Sequence, residues 1–164
     1  MRTVRLEISP TPAHVRTARL VAVAVARQSG VLEGLLDEIR LAVGEACSRA
    51  VGLHRLHAPD ELVSIEFVGE PRFGVAVRDY APAELAMVDA SPDPFALLHA
   101  SAPAPASGDE GAAADPEPAS EPFSEEALAA GVGLALLAGL VDDVEVIAVQ
   151  GGKGSIVRMS WPIG

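Results

Sequence analysis

Hydrophobic positions recur along the chain with two different periods, and each period predicts a different kind of element. Near the N-terminus "TVRLEIS" alternates, as a half-buried strand does. Apolar residues then repeat every three or four positions through the segments at about 10–30 and 32–56, which predicts two amphipathic helices. "LVSIEFVG" and "RFGVAVRDY" alternate again on either side of "GEP" and predict an antiparallel hairpin.

Regular patterning returns near the C-terminus. "SEEALAAGVGLALLAGL" predicts a helix that follows two glycines, and "VEVIAV", the turn "QGGKG" and "SIVRMSW" predict a final pair of strands. The predicted order is therefore strand, two helices, two strands, an insertion, a helix and two strands. This order predicts an α+β two-layer sandwich, in which a mainly antiparallel mixed sheet is covered on one face by helices.

The segment between the two patterned parts, at about 92–124, has a different composition. It is rich in Ala, Pro and Ser, and it carries acidic side chains but neither Lys nor Arg. Such a segment cannot bury enough apolar surface to offset the entropy lost on ordering. We expect one domain spanning 1–164, with a largely disordered acidic Ala/Pro-rich insertion at about 92–124.

Composition narrows the function classes. The formal net charge of -11 argues against direct binding of nucleic acid, because phosphate backbones need clustered Lys and Arg. The single cysteine, Cys47, cannot form an internal disulfide and has no partner at metal-ligand spacing. The N-terminus is charged rather than signal-like, and no apolar run reaches the length of about 18 residues that crosses a bilayer. These features predict a cytoplasmic protein with no membrane partner.

Three motifs agree in their order and spacing: "DEIRLAVGEACSRAV", "VAVRDYAPA" and "GVGLALLAGLVDDVEV". Together they resemble the histidine-kinase-like ATPase (GHKL) superfamily, whose Bergerat fold agrees with the predicted sandwich. Within that superfamily the chain is similar to the bacterial anti-sigma factor serine kinases, which switch partners with STAS-domain antagonists. The resemblance covers about 4–80 and 131–161 and leaves out the insertion.

The resemblance assigns roles within the second predicted helix. In the family, a glutamate of this helix orients the attacking serine hydroxyl of the partner protein, and an asparagine one turn later holds magnesium on the phosphates of ATP. The matching positions are Glu45 and Arg49. Glu45 retains a carboxylate that can act as a general base, whereas a guanidinium has donors only and cannot ligate a cation.

The spacing of these two residues has a structural interpretation as well. Arg49 lies four residues after Glu45, which is the favourable order for an ion pair along a helix. We expect Arg49 to occupy the metal position and to pair with Glu45. The alternative is a solvent-exposed helix-surface pair, which contributes little to stability.

The second family box, Asp-x-Gly-x-Gly, binds adenine through its aspartate and lets backbone approach the base at its glycines. Asp79 is retained here, but both glycine positions carry a β-carbon, at Ala81 and Ala83. Because alanine cannot replace a glycine that needs positive φ or close approach without strain, this box predicts a degenerate adenine pocket. The alternative for Asp79 is a residue that turns the chain at a strand end.

The third family box is intact, at Gly131, Gly133 and Leu134. Glycines before a helix expose N–H groups that can bind phosphate, although the same glycines also suit a tight turn.

Kinases of this group carry a lid between the second and third boxes, and this lid usually brings positive charge to the triphosphate. Here no Lys or Arg occurs from 79 to 152, and acidic side chains near a triphosphate would repel it. We therefore expect neither ATP nor Mg²⁺ as a cofactor.

The first predicted helix carries the candidate partner contacts. In the resembled family, an arginine of this helix contacts both the sigma factor and the antagonist, and the match falls on Arg19, with Arg16 as the second choice. A planar guanidinium binds carboxylates bidentately, which suits the role, but solubilising charge on an exposed face is the alternative. His54 and His57 are interpreted as helix-end residues rather than metal ligands.

The leading hypothesis is an anti-sigma-type regulator that acts by partner switching. It would bind a STAS-domain anti-anti-sigma protein and a sigma factor, with nucleotide binding and kinase activity lost. The alternative is an active serine protein kinase that phosphorylates the STAS antagonist with ATP and Mg²⁺. Two further functions are compatible with the sequence: nucleotide binding without turnover, and a small α/β module that binds another ligand. The sequence is also compatible with a homodimer formed through the sheet edge.

Overall fold

The computed structural model describes residues 2–82 and 137–164, and the statements below concern these two ranges. Several predicted features lie outside the described residues: Ala83, the acidic insertion at 92–124, Gly131, Gly133 and Leu134.

The described elements follow the predicted order. They are β1 (Thr3–Ile8), α1 (Pro12–Gln28), a short 3-10 helix (Glu33–Leu35), α2 (Leu36–His57), β2 (Val63–Val68), β3 (Phe73–Arg78), β4 (Val144–Ala148) and β5 (Ser155–Trp161). Residues 137–140 form a helical turn ahead of β4.

Local sequence explains where the two long helices begin and end. Pro12 opens α1, at a position where its missing N–H would have had no helical partner. The helix stops at Ser29, and Gly30 follows with a φ of 83°, a conformation that glycine adopts without steric penalty. Asp37 and Glu38 lie in the first turn of α2, where negative charge complements the helix dipole.

The strands form one five-stranded sheet in the order β1-β2-β3-β5-β4. All four described strand pairs are antiparallel. The N-terminal and C-terminal parts of the chain meet at the centre of the sheet, where Val77 of β3 lies opposite Ile65 of β2 and Val157 of β5. The predicted α+β fold, with its mainly antiparallel sheet, is confirmed.

The core lies between one face of the sheet and the two long helices. Alternate residues of β2, β3 and β5 are buried there, among them Ile65, Phe67, Phe73, Val77 and Met159. The facing helices contribute mainly small residues, which lets them approach the sheet and each other closely: Ala18, Ala22 and Ala26 from α1, and Ala42, Ala46 and Ala50 from α2. This core is mainly aliphatic, in agreement with an aromatic content of only 4%, but it also contains Phe67, Phe73 and Trp161.

A polar contact ties the last strand to the second helix. The indole Nε1–H of Trp161 donates to Oε1 of Glu38 at 2.7 Å, so the end of β5 is held against the first turn of α2. In the described part of the chain, no helix has the length and apolar character needed to span a membrane.

Candidate functional site

Three buried polar side chains meet where the end of β3, the start of β5 and the middle of α2 come together. Arg49, Asp79 and Ser155 are only 3%, 2% and 0% exposed. The Nη1 atom of Arg49 lies 3.3 Å from Oδ2 of Asp79 and 3.3 Å from Oγ of Ser155. We call these residues the buried triad.

Strand pairing brings two members of the buried triad side by side. Arg78 lies opposite Ile156 in the β3–β5 register, and the N–H of Asp79 continues the ladder by donating to the carbonyl oxygen of Ser155 at 3.0 Å. The Ser155 hydroxyl then donates to Oδ2 of Asp79 at 2.5 Å. The central strands therefore fix this carboxylate and this hydroxyl relative to each other.

The acceptor sites of Asp79 are mostly engaged by the protein itself. Oδ2 accepts from Arg49 and Ser155, and Oδ1 accepts from the backbone N–H of Ala81 at 3.1 Å. A carboxylate offers about four lone-pair sites, so three of them already have donors. Ala81 is itself buried, 2% exposed, immediately beside this carboxylate. The aspartate is thus both a turn-forming residue and the counter-ion of a buried arginine.

The backbone of Gly154 packs against the same aspartate. Gly154 has a φ of 95°, and a β-carbon built on it would overlap the carbonyl oxygen of Asp79 and lie 2.9 Å from Cα of Tyr80. Only glycine fits this place, because any side chain would displace the strand end that carries Asp79.

His54 connects the last turn of α2 to the residue after Asp79. Its imidazole is fully buried, with Nδ1 at 2.9 Å from the carbonyl oxygen of Glu61, and with Nε2 accepting from the N–H of Tyr80 at 2.8 Å. Both contacts are satisfied by the neutral tautomer that carries its proton on Nδ1. His54 does lie at the helix end, as interpreted, and in addition it fixes the segment around Asp79. No cluster of metal-ligating side chains occurs among the described residues.

A groove of about 330 Å³ lies between α1 and α2. Arg49 lines this groove and is also the member of the buried triad that contacts Asp79. Most of the predicted site residues that the structure describes line this groove: Arg16, Arg19, Glu45 and Arg49. Asp79 and Ala81 are joined to it through the contact between Arg49 and Asp79. The structure thus brings together the candidate base, the candidate metal position and the candidate partner contacts.

The prediction that Glu45 and Arg49 form an ion pair was wrong: no such pair occurs among the described residues. Arg49 lies on the buried side of α2 and directs Nη1 to Asp79, whereas Glu45 is half-buried and lines the groove. The physical reason is burial, since a guanidinium removed from water needs a counter-charge at the same depth, and Asp79 supplies it.

Sequence reasoning missed Ser155 and Gly154 and underestimated His54. Ser155 is in phase with the apolar, buried positions Val157, Met159 and Trp161 of β5, so a polar residue in that phase was a signal of a buried hydrogen bond. His54 likewise follows the buried stripe of α2. Gly154 had no signal beyond its place in a glycine-rich turn.

This arrangement of a five-stranded antiparallel sheet and helices on one face defines an α+β domain with a polar site at the inner side of α2. The histidine kinase-like ATPase domain family matches residues 8–161. Because this match spans nearly the whole chain, the protein belongs to that family. No protein of curated function matches the chain.

Proposed function

We propose that the protein is an anti-sigma-type regulator that acts by binding other proteins and has lost kinase activity. Its partners would be a STAS-domain anti-anti-sigma protein and a sigma factor, bound in alternation at the α1–α2 groove. The observation that carries this proposal is the contact of Arg49 with Asp79 and Ser155.

The residues present do not fit ATP and Mg²⁺. In the resembled kinases, an asparagine at the position of Arg49 holds the metal; the guanidinium here offers donors only and stays charged. The aspartate that would accept from adenine already accepts from three donors of the protein. An adenine amino group would have to displace a buried charge pair, and breaking such a pair costs about 3–5 kcal/mol.

The groove supports protein binding instead. Arg16, Arg19 and Arg55 line it, together with the carboxylate of Glu45, in a chain whose formal net charge is -11. Such a concentration of guanidinium groups complements an acidic surface, and arginine is common among residues that dominate protein interfaces. One groove with a single set of arginines suits two partners that exclude each other.

Two measurements test the proposal. Each STAS-domain protein of the source organism is purified and incubated with this protein, Mg²⁺ and labelled ATP, and binding of ATP and ADP is measured by isothermal titration calorimetry. We expect no phosphoserine and no heat of nucleotide binding, together with a stable complex with one STAS-domain protein.

Partner switching itself is tested by competition. A sigma factor bound to this protein is titrated with the STAS-domain protein, and we expect the sigma factor to be released as the second complex forms. A ternary complex, or nucleotide-dependent phosphorylation of the STAS-domain protein, would contradict the proposal.

An active serine kinase is the second candidate, and one observation favours it. Glu45 is half-buried at the groove and makes no ion pair with Arg49 within the described residues, which would leave its carboxylate available to act as a base. If phosphotransfer is detected, Glu45→Gln should abolish it while leaving the complex intact, because the amide keeps the shape and cannot accept the proton.

A further inference from the structure

Gly44 is a glycine in the interior of α2, where alanine would give a more stable helix. It is buried, and it lies one residue before Glu45, which lines the groove between α1 and α2. Its presence therefore needs a reason that outweighs helix propensity.

The space above Gly44 is filled by one side chain. A β-carbon built on Gly44 would overlap Nε of Arg19 and lie 2.9 Å from both Cζ and Nη2 of that residue. These three guanidinium atoms are the nearest to such a β-carbon, ahead of any atom of the α1 backbone. The end of a long side chain thus occupies the place that a methyl group on Gly44 would take.

The guanidinium of Arg19 is held in this slot without all of its donors being satisfied. Its Nε is buried and has no hydrogen-bond partner among the described residues. Cys47, one turn along α2, lies near the same charge: burial raises the pKa of the Cys47 thiol to about 12, and the positive charge of Arg19 opposes this rise. A buried donor without an acceptor is costly unless another molecule or a rearrangement supplies one.

We propose that Gly44 is a positioning residue for the partner complex: its missing side chain forms a slot that holds the Arg19 guanidinium at the α1–α2 groove. This inference rests on the proposed function, because it makes Arg19 a contact to the partner. Pre-ordering a long side chain reduces the entropy lost on association, by an amount equivalent to roughly 2- to 10-fold in Kd for one side chain.

Gly44→Ala tests the slot, with Gly34→Ala as the matched control. A β-carbon on Gly34 meets nothing within 4 Å, and Gly34 lies outside the groove. We expect Gly44→Ala to keep the circular dichroism spectrum and the Tm, because the displaced group is the end of a flexible side chain. We expect it to shift the ¹⁵N–¹H resonance of Arg19 Nε and to weaken the complex with the STAS-domain protein by roughly 2- to 10-fold. Gly34→Ala should change neither.

A double variant separates positioning from general structural damage. Arg19→Ala should weaken the complex by itself, and Gly44→Ala added to Arg19→Ala should weaken it no further, since the slot then has nothing to hold. If Gly44→Ala alone fails to fold, the double variant should fold, because the truncation in Arg19→Ala leaves room for the new methyl group. A double variant that binds more weakly than Arg19→Ala, or that is unfolded, would overturn the inference.

The remaining outcomes distinguish this inference from the proposed function. An unchanged Arg19 resonance and an unchanged Kd in Gly44→Ala, with binding lost in Arg19→Ala, would overturn the slot and leave the partner surface standing. Full binding by Arg19→Ala would overturn the partner surface, and the positioning role with it.

Discussion

Arg49 and Asp79 form an ion pair inside the protein, with Nη1 and Oδ2 3.3 Å apart and side-chain exposures of 1% and 2%. The pair joins the middle of α2 to the residue after β3. The hydroxyl group of Ser155, at the start of β5, accepts from Arg49 and donates to Asp79. Three elements that are distant in sequence are therefore tied together by this charge pair and the hydroxyl group of Ser155.

Removing the carboxylate charge should destabilise the fold strongly. Asp79→Asn removes the carboxylate charge that lies 3.3 Å from the buried Arg49 guanidinium, and we expect the free energy of unfolding to fall by about 3–5 kcal/mol. Urea titration followed by the fluorescence of Trp161 measures this loss. Glu66→Gln is the control, because it breaks the exposed pair with Arg5 and should cost under about 1 kcal/mol. Equal losses in both variants would contradict the role given to the buried triad.

Under the proposed function, an asparagine at position 49 should not by itself give kinase activity. In Arg49→Asn, the N–H of Ala81 still occupies Oδ1 of Asp79 and the Ala81 methyl group is still buried beside it. We expect neither nucleotide binding by calorimetry nor labelled phosphate on the STAS-domain protein. Recovered transfer in this single variant would show that the site is blocked by Arg49 alone.

Gly154→Ala should disturb the site from the backbone. The added β-carbon would overlap the carbonyl oxygen of Asp79, and the φ of 95° is strained for alanine, so we expect a loss of at least about 2 kcal/mol in stability. Gly139→Ala serves as the comparison, since a β-carbon there meets no atom of the described residues within 4 Å. Thermal unfolding measures both, and a Tm unchanged in Gly154→Ala would argue against the close approach.

His54→Ala should loosen the segment that carries Asp79. The substitution removes the imidazole from the Tyr80 N–H and from the carbonyl oxygen of the exposed Glu61, which water can reach. We therefore count one unsatisfied group, the Tyr80 N–H, at about 1–3 kcal/mol. We expect lower stability and faster hydrogen exchange at the Tyr80 amide. His57→Ala, at an exposed position in the same helical turn, should leave both unchanged. Wild-type exchange at Tyr80 in the His54 variant would remove the proposed link.

The Cys47 thiol should be unreactive in the folded protein. Burial raises its pKa from the ordinary 9.0 to about 12, so the thiolate is scarce at pH 8 and is enclosed as well. A thiol reagent at pH 8 should modify the denatured chain at once and the native chain only as fast as it unfolds. Above pH 9.0 the Cys47 thiol loses its proton in the unfolded chain but keeps it in the folded protein up to about pH 12. The contribution of Cys47 to stability is therefore present below pH 9.0 and is lost as the pH rises from 9.0 to about 12. Rapid native modification would contradict the burial.

The local patterns of the sequence were sufficient for the elements and for their order. Alternation located β2 and β3, and a stripe at three- and four-residue spacing located α2, because these periods follow directly from strand and helix geometry. The three motifs were sufficient for the family. These predictions need only residues that are near one another along the chain.

The buried triad could not be predicted in the same way. Within α2, the partner visible for Arg49 was Glu45, four residues away, whereas Asp79 and Ser155, which it contacts in the fold, are 30 and 106 residues distant. Which of several acidic residues faces a buried guanidinium depends on the strand register and on the side of the helix that is buried. The spacing of residues along the chain determines neither the strand register nor the buried side of the helix.

The place of β5 next to β3 has a kinetic consequence. Asp79 and Ser155 are separated by 76 positions, so the inner strand pair forms only after two distant parts of the chain have met. The entropic cost of bringing two such parts together rises slowly with the number of residues between them, by about 0.6 kcal/mol for each doubling of that number. Contacts between residues this far apart in sequence therefore cost little additional stability at equilibrium, but they slow the rate at which the sheet is completed.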